Sequence, residues 1–173
     1  MDSLVNTAWL ADHLDDPDLV VLDCSVVTVM EEDGGFHNES GREQYEQGHI
    51  PGAGFADLKG ELSDTGSTIE FAVPTPESFC ESMSRLGVGD DSRVVLYDSS
   101  LSAWAARVWW MLRWIGFDRA AILDGGLSAW TGEGRLVSSG PVTRNPAQLT
   151  PAIRPGLIAN REEVMAAITD DGV

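Results

Sequence analysis

Basic charge is what this chain most plainly lacks. Its 173 residues carry 28 acidic side chains against 11 basic ones, a net charge of −17, and Lys59 is the single lysine. Neutralising phosphates requires clustered Lys and Arg, so no nucleic-acid partner is expected. No apolar run approaches the roughly 20 residues of a membrane-spanning helix, and no basic-then-apolar segment opens the chain. The expectation is a cytoplasmic protein with no membrane partner. Cysteine is scarce as well: Cys24 and Cys80 are too few for a disulfide framework. No second His or Cys stands at metal-ligand spacing, so no metal site and no cofactor is expected, and His13 and His37 are read as surface residues.

What is present is an apolar chain with a dense acidic surface. A hydrophobic fraction of 43% in 173 residues supports one ordered domain with a substantial core, but not two full ones. The runs Asp15-Asp16-Pro17-Asp18, Glu31-Glu32-Asp33 and Asp170-Asp171 are solvated surface. Abundant carboxylates with almost no lysine suit a protein kept soluble in high salt, where screening removes self-repulsion.

Short apolar runs alternate with helical patterns. Asn6 or Thr7 caps a first helix that turns Trp9, Leu10 and Leu14 inward, and Leu19 to Leu22 is a buried strand. Residues 28 to 41 read as a polar, Gly-rich loop, followed by a short helix from Gly41 to Gln47 and a Pro51-Gly52 turn. A second loop spans 58 to 74. Pro76 then opens a helix that Gly87 closes. Arg93 to Tyr97 and Ala120 to Leu123 are further strands, each followed by a helix: Ala105 to Trp114, and one ending near Trp130. Continuous apolar strands alternating with helices give an α/β fold, a compact parallel sheet with helices on both faces.

Residues 131 to 155 have a linker's composition, and Asn160 with Glu163 then forms a capping box. Asn160, Val164, Ile168 and Asp170 echo Asn6, Leu10, Leu14 and Asp16 at a constant offset of 154 residues. The pattern reads as an internal repeat that begins and is cut off. The expected organisation is a domain over 1–135, a linker over 136–156, and the opening helix of a truncated second domain over 157–173.

Taken together, Val20-Val21-Leu22-Asp23, Glu46-Gln47-Gly48-His49-Ile50-Pro51-Gly52-Ala53, Arg85-Leu86-Gly87-Val88, Val94-Val95-Leu96-Tyr97-Asp98, Ala106-Arg107-Val108-Trp109-Trp110-Met111-Leu112-Arg113 and Leu123-Asp124-Gly125-Gly126-Leu127-Ser128-Ala129-Trp130 resemble the rhodanese-like sulfurtransferases. The likeness is to the tandem type that includes thiosulfate and 3-mercaptopyruvate sulfurtransferases. The resemblance implies two domains of which only the second is catalytic. That second domain carries sulfur as a persulfide on a cysteine at a strand tip, passing it from a small donor to cyanide or a thiol.

Laid onto this chain, the cysteine position falls on Asp98, and a carboxylate has no sulfur to carry. The loop Asp98, Ser99, Ser100, Leu101, Ser102, Ala103 is therefore a vestigial site with no catalytic residue in this chain. The same absence argues against the cysteine-dependent phosphatases. Asp23 and Arg42 are expected to pair, and His49 to be a hydrogen-bonding structural residue. Arg107 either binds an anion or pairs with Asp98, the pairing being preferred. Cys24 and Cys80 read as core residues, with an unconventional enzyme using Cys24 as the minor alternative. Trp104, Trp109, Trp110 and Trp114 are too close together to share one helix face, so some turn outward or toward another domain. The function expected is that of the amino-terminal, non-catalytic half of a two-domain sulfurtransferase, its partner being the second rhodanese domain. The competing reading is a free-standing inactive rhodanese module that binds or regulates a partner.

The acidic surface carries its own test. Thermal unfolding followed from low to molar potassium chloride should shift upward by several degrees, because screening relieves carboxylate repulsion. A midpoint that stays flat or falls removes the high-salt reading.

Overall fold

A computed structural model of the chain describes residues 1–168. Five parallel strands form the main sheet in the order β1-β7-β6-β2-β5. They are β1 (Leu4–Val5), β2 (Leu19–Asp23), β5 (Gly54–Phe55), β6 (Arg93–Tyr97) and β7 (Ala120–Leu123). The central pair β2 and β6 runs in register from Leu19 opposite Arg93 to Asp23 opposite Tyr97.

Their side chains divide by strand period. Val20, Leu22, Val94 and Leu96 pack into one core with Phe79 and Met83 of α3 (Pro76–Arg85) and Val108 and Met111 of α4 (Ala103–Trp114). Leu19, Val21, Val95 and Tyr97 pack into the other with Leu10 of α1 (Thr7–His13) and Trp130 of α5 (Gly126–Gly132). An unbroken apolar run thus serves two cores, one on each face of the sheet. The helix boundaries follow local chemistry. Asn6 caps α1 by accepting the Trp9 amide at 2.8 Å, and Thr75 caps α3 ahead of Pro76.

The segment read as a loop over 28–41 is mostly a hairpin: β3 (Val26–Met30) pairs antiparallel with β4 (Phe36–Ser40). This ribbon sits outside the main sheet, buries only Val26 of its strand residues and leaves Met30 and Phe36 exposed, so no apolar face runs along it to announce it. The following helix α2 (Arg42–Gln47) lies where the sequence puts it. β1 and β5 span two residues each, too short to carry a pattern.

Residues 136–156 form a strap hydrogen-bonded to the domain along their length. Ser138 exchanges backbone hydrogen bonds with His49, Arg144 donates to the carbonyls of Leu19 and Gly52, Thr150 donates to Asp90, and Arg154 meets Asp118. Leu19 opens β2, while Asp90 and Asp118 precede β6 and β7, so the strap crosses the amino ends of the strands. The 3-10 turn Pro155–Leu157 then brings the chain to α4, where the Trp110 indole donates to the Leu157 carbonyl at 2.9 Å. Helix α6 (Arg161–Ile168) follows with its capping box formed: Asn160 accepts the Glu163 amide at 2.9 Å, and Glu163 accepts the Asn160 amide at 2.7 Å. Asp170 and Asp171, including the last position of the repeat echo, lie outside the described residues. No helix among the described residues is long and apolar enough to cross a membrane.

One close approach fixes how α5 meets the sheet. Gly126 has φ +55°, and a Cβ there would lie 2.5 Å from the Asp98 carbonyl oxygen. Gly126→Ala should therefore lower unfolding free energy by about 2 kcal/mol or more in urea titration. Gly132→Ala, with nothing within 4 Å of its Cβ, should change it by no more than about 0.5 kcal/mol. Equal effects for the two would contradict the packing.

Candidate functional site

The site lies where β6 ends and α4 begins. Asp98, the residue after the strand, is 1% exposed, and its carboxylate collects hydrogen bonds from the loop and the helix start. Oδ1 accepts the amides of Ser100 at 2.8 Å and Ser102 at 3.0 Å, with the Ser100 hydroxyl at 3.3 Å. Oδ2 accepts the amides of Trp104 at 3.0 Å and Ala105 at 3.1 Å. The first amides of a helix have no partner within it, and Asp98 supplies one while lying at the positive end of the helix dipole. The short serines let the backbone curl tightly, and Ser102 does so with φ 61°. The loop is also tied outward: Ser99 N donates to Ser25 Oγ at 3.0 Å, and the Asp98 carbonyl accepts Leu127 N at 3.1 Å.

Chemically this is an anion nest closed by its own carboxylate. It concentrates amide dipoles on one negative group, and that group, a carboxylate, has no sulfur to carry. Neither thiol replaces it. Cys24 is wholly buried beside the nest, and burial first, then the charges of Asp23 and Asp98, push its thiol well above the ordinary range. Burial pushes Cys80 up to about 11. Both remain thiols at neutral pH and are poor nucleophiles.

Asp23, at the end of β2, is likewise buried. Its Oδ1 accepts Ser25 N at 2.8 Å, and desolvation raises its carboxyl above the usual value. The expected Asp23–Arg42 pair does not form. Arg42 lies 3.5 Å from Asp57 and 4.8 Å above the Phe55 ring, half-exposed at the start of α2, while Asp23 is held inside by the backbone of its own turn. The preferred Arg107–Asp98 pair is absent too. Amides of the loop and helix bind both oxygens of Asp98, and Arg107, one turn further along α4, donates instead to the Phe71 carbonyl. His49 is fully buried, its Nδ1 2.8 Å from the Tyr45 carbonyl and its ring stacked on Tyr45 at 4.3 Å. His37 is exposed between Glu31 and Glu39, and His13, half-buried, stacks on Trp9.

The four tryptophans of α4 all find partners within this chain. Trp114 is buried, Trp109 donates to the Ala120 carbonyl and Trp110 to that of Leu157, and Trp104 packs on Phe71. Sequence reasoning missed three contributors: Ser25, Phe71 and Gly126. The Gly125-Gly126 pair did signal a turn, but nothing in the sequence marked Ser25 or Phe71.

The rhodanese-like domain profile matches residues 6–133. The chain belongs to the rhodanese-like domain family. This rhodanese-like chain is 35% identical over 163 residues to the 3-mercaptopyruvate sulfurtransferase of Escherichia coli (strain K12), a match covering 94% of it and 56% of that protein. It is 34% identical over 169 residues to the thiosulfate sulfurtransferase of Rattus norvegicus, covering 94% and 54% of the two chains. The crystal structure of SseA from Escherichia coli superposes with a TM-score of 0.85 at 34% identity, covering 96% of this chain and 62% of that one. The chain thus spans about half the length of the curated relatives it matches.

In this rhodanese-like domain, removing the carboxylate leaves the loop amides without their acceptor. Asp98→Ala should cost about 2–4 kcal/mol in denaturant unfolding. Asp98→Asn should fall between wild type and alanine, since its amide oxygen still accepts on one side while its NH2 faces donors on the other. A loss under about 0.5 kcal/mol for Asp98→Ala would contradict the nest's role in holding the loop.

Proposed function

We propose that the chain is the amino-terminal, non-catalytic domain of a two-domain sulfurtransferase of the thiosulfate or 3-mercaptopyruvate type. The observation that carries this reading is Asp98: a buried carboxylate occupies the nest at the strand tip and binds the amides with both oxygens. The length of the relatives supports it, since they extend well beyond the matched region. So does the repeated opening helix at Asn160, whose capping box is formed.

In the complete protein the sulfur step falls to a cysteine in the second domain. Its thiolate attacks the sulfane sulfur of thiosulfate, the S–S bond breaks, and sulfite leaves with the bonding pair, giving an enzyme persulfide. Cyanide or an acceptor thiolate then takes the terminal sulfur and returns the thiolate. The present domain contributes one wall of the cleft and stability to its partner, and the protein works in the cytoplasm, the acidic surface being an adaptation to high salt. A free-standing inactive module is the second reading, and it is favoured by one observation: the nest is satisfied from within the domain and asks nothing of a partner.

The two readings share one expectation, and a second result separates them. The 173-residue chain alone should form no thiocyanate from thiosulfate and cyanide above a buffer control. The reading frame past Val173 should encode a second strand-tip loop about 250 residues from the start, within roughly ten either way, opening with cysteine and rich in glycine. A stop codon there, or a repeat with no cysteine at that tip, overturns the two-domain reading and leaves the module.

A further inference from the structure

Most arginines of this acidic chain lie against a carboxylate, as Arg93 does with Asp16 and Asp18, and Arg154 with Asp118. Arg144, in the strap, meets none among the described residues. Its Nη1 donates to the Leu19 carbonyl at 3.3 Å and its Nη2 to the Gly52 carbonyl at 2.8 Å. Its Nε is enclosed with no hydrogen-bond partner among the described residues. Burial pulls the guanidinium pKa down, the mark of a cation that no anion compensates. Holding two carbonyls takes N–H donors and no charge, so tying down the strap does not account for the cation. Each terminal nitrogen also keeps a second N–H to give.

Two glycines seat this side chain. A Cβ on Gly87, whose φ is +86°, would lie 3.1 Å from the Arg144 Cβ and 3.2 Å from its Cδ, and one on Gly52 would lie 3.8 Å from Nη2. Beside Arg144 the strap leaves a cleft against the β5 edge of the sheet. Its inner hollow, about 120 Å³, is walled by Gly54, Arg85, Leu86, Val142, Thr143 and Arg144, with no carboxylate among them. An outer hollow of about 190 Å³ shares Leu86 and Val142 and adds the apolar walls of Phe55, Pro141 and Tyr45. The charges at the outer end are already engaged. Arg42 lies 3.5 Å from Asp57, and Glu61 lies 3.9 Å from Arg85, which also meets Glu81 at 3.0 Å. The cleft therefore has a direction: cationic inside, apolar outside, with Glu61 turning negative charge away from the outer end.

We propose that this cleft binds a small organic carboxylate with an apolar body, its carboxylate on Arg144 and Thr143 and its body between Leu86, Val142 and Phe55. A guanidinium offers a carboxylate parallel N–H bonds, and one already seated loses little freedom on binding. Apolar cavities of about 150 Å³ hold benzene, so the outer hollow takes a phenyl ring or a short branched chain. None of these residues belongs to the Asp98 loop, and the inference stands apart from the sulfurtransferase reading.

The probe is phenylacetate, with phenylacetamide as its uncharged counterpart, titrated into the 173-residue chain at fixed ionic strength. Backbone amide shifts in proton–nitrogen correlation spectra report the binding. Phenylacetate should saturate with a Kd of about 1 mM or below, shifting the amides of Gly54, Leu86, Val142 and Thr143 most. Phenylacetamide should bind about tenfold more weakly or worse. Arg144→Gln, which keeps neutral donors for the carbonyls, should weaken phenylacetate by about tenfold. Val142→Phe fills the cleft while leaving Arg144 in place, should weaken it as much, and decides the matter if Arg144→Gln does not fold. No saturable shift at the cleft, equal binding of the amide, or wild-type affinity in either folded variant overturns the site. Each of those results leaves the sulfurtransferase reading standing, since that reading rests on Asp98 and a second domain.

Discussion

The Asp98 carboxylate is the contact on which the site end of the molecule depends. It accepts amides from the loop and the first turn of α4, while its own carbonyl accepts Leu127 N at the start of α5. One residue therefore sets where β6 stops, how the loop curls, and how two helices leave the sheet. Gly126 is required because that same carbonyl comes so close. A nest of amides is a device for holding negative charge, and here the chain supplies the charge itself. The carboxylate that organises this anion site is also the group that fills it.

The rest of the fold divides between the two ends of the strands. At the carboxyl end, Asp98, Ser25, the hairpin and the 58–74 segment gather around the nest. At the amino end, the strap ties residues 138–154 across the sheet and brings Leu157 to Trp110 of α4. A segment of linker composition thus behaves as a splint, because its polar groups bond to the domain rather than to water.

Much of this was legible in the residues. The apolar runs of β2, β6 and β7 stood out because strands buried on both faces carry no polar alternation, and Asn6, Thr75 and Pro76 marked helix starts by their capping chemistry. The hairpin was not legible, since Val26 is the one buried residue of its two strands and leaves no apolar stripe, and Glu39 and His37 sit in it as readily as valine. The strand-tip loop from Asp98 to Ala103 was picked out by the resemblance. The arginine partners were not foreseen. Chain proximity suggested Asp98 for Arg107 and Asp23 for Arg42, but Asp98 was already satisfied by backbone amides and Asp23 by the Ser25 amide with the Ser25 and Tyr97 hydroxyls, and the guanidinium groups reached Phe71 and Asp57 on a distant segment. Pairing depends on which acceptors remain free after the backbone is served, and sequence spacing does not record that.

The central claim is that the loop is an anion nest, filled here by the Asp98 carboxylate. Its most direct test is the titration of Asp98→Cys, followed by thiolate absorbance. Cys24 and Cys80, both pushed upward by burial, leave the baseline flat below alkaline pH. Amides directed at one sulfur at a helix start should bring the new thiol below about 7. A thiol that titrates at or above its unperturbed value of about 8.5 would contradict the account.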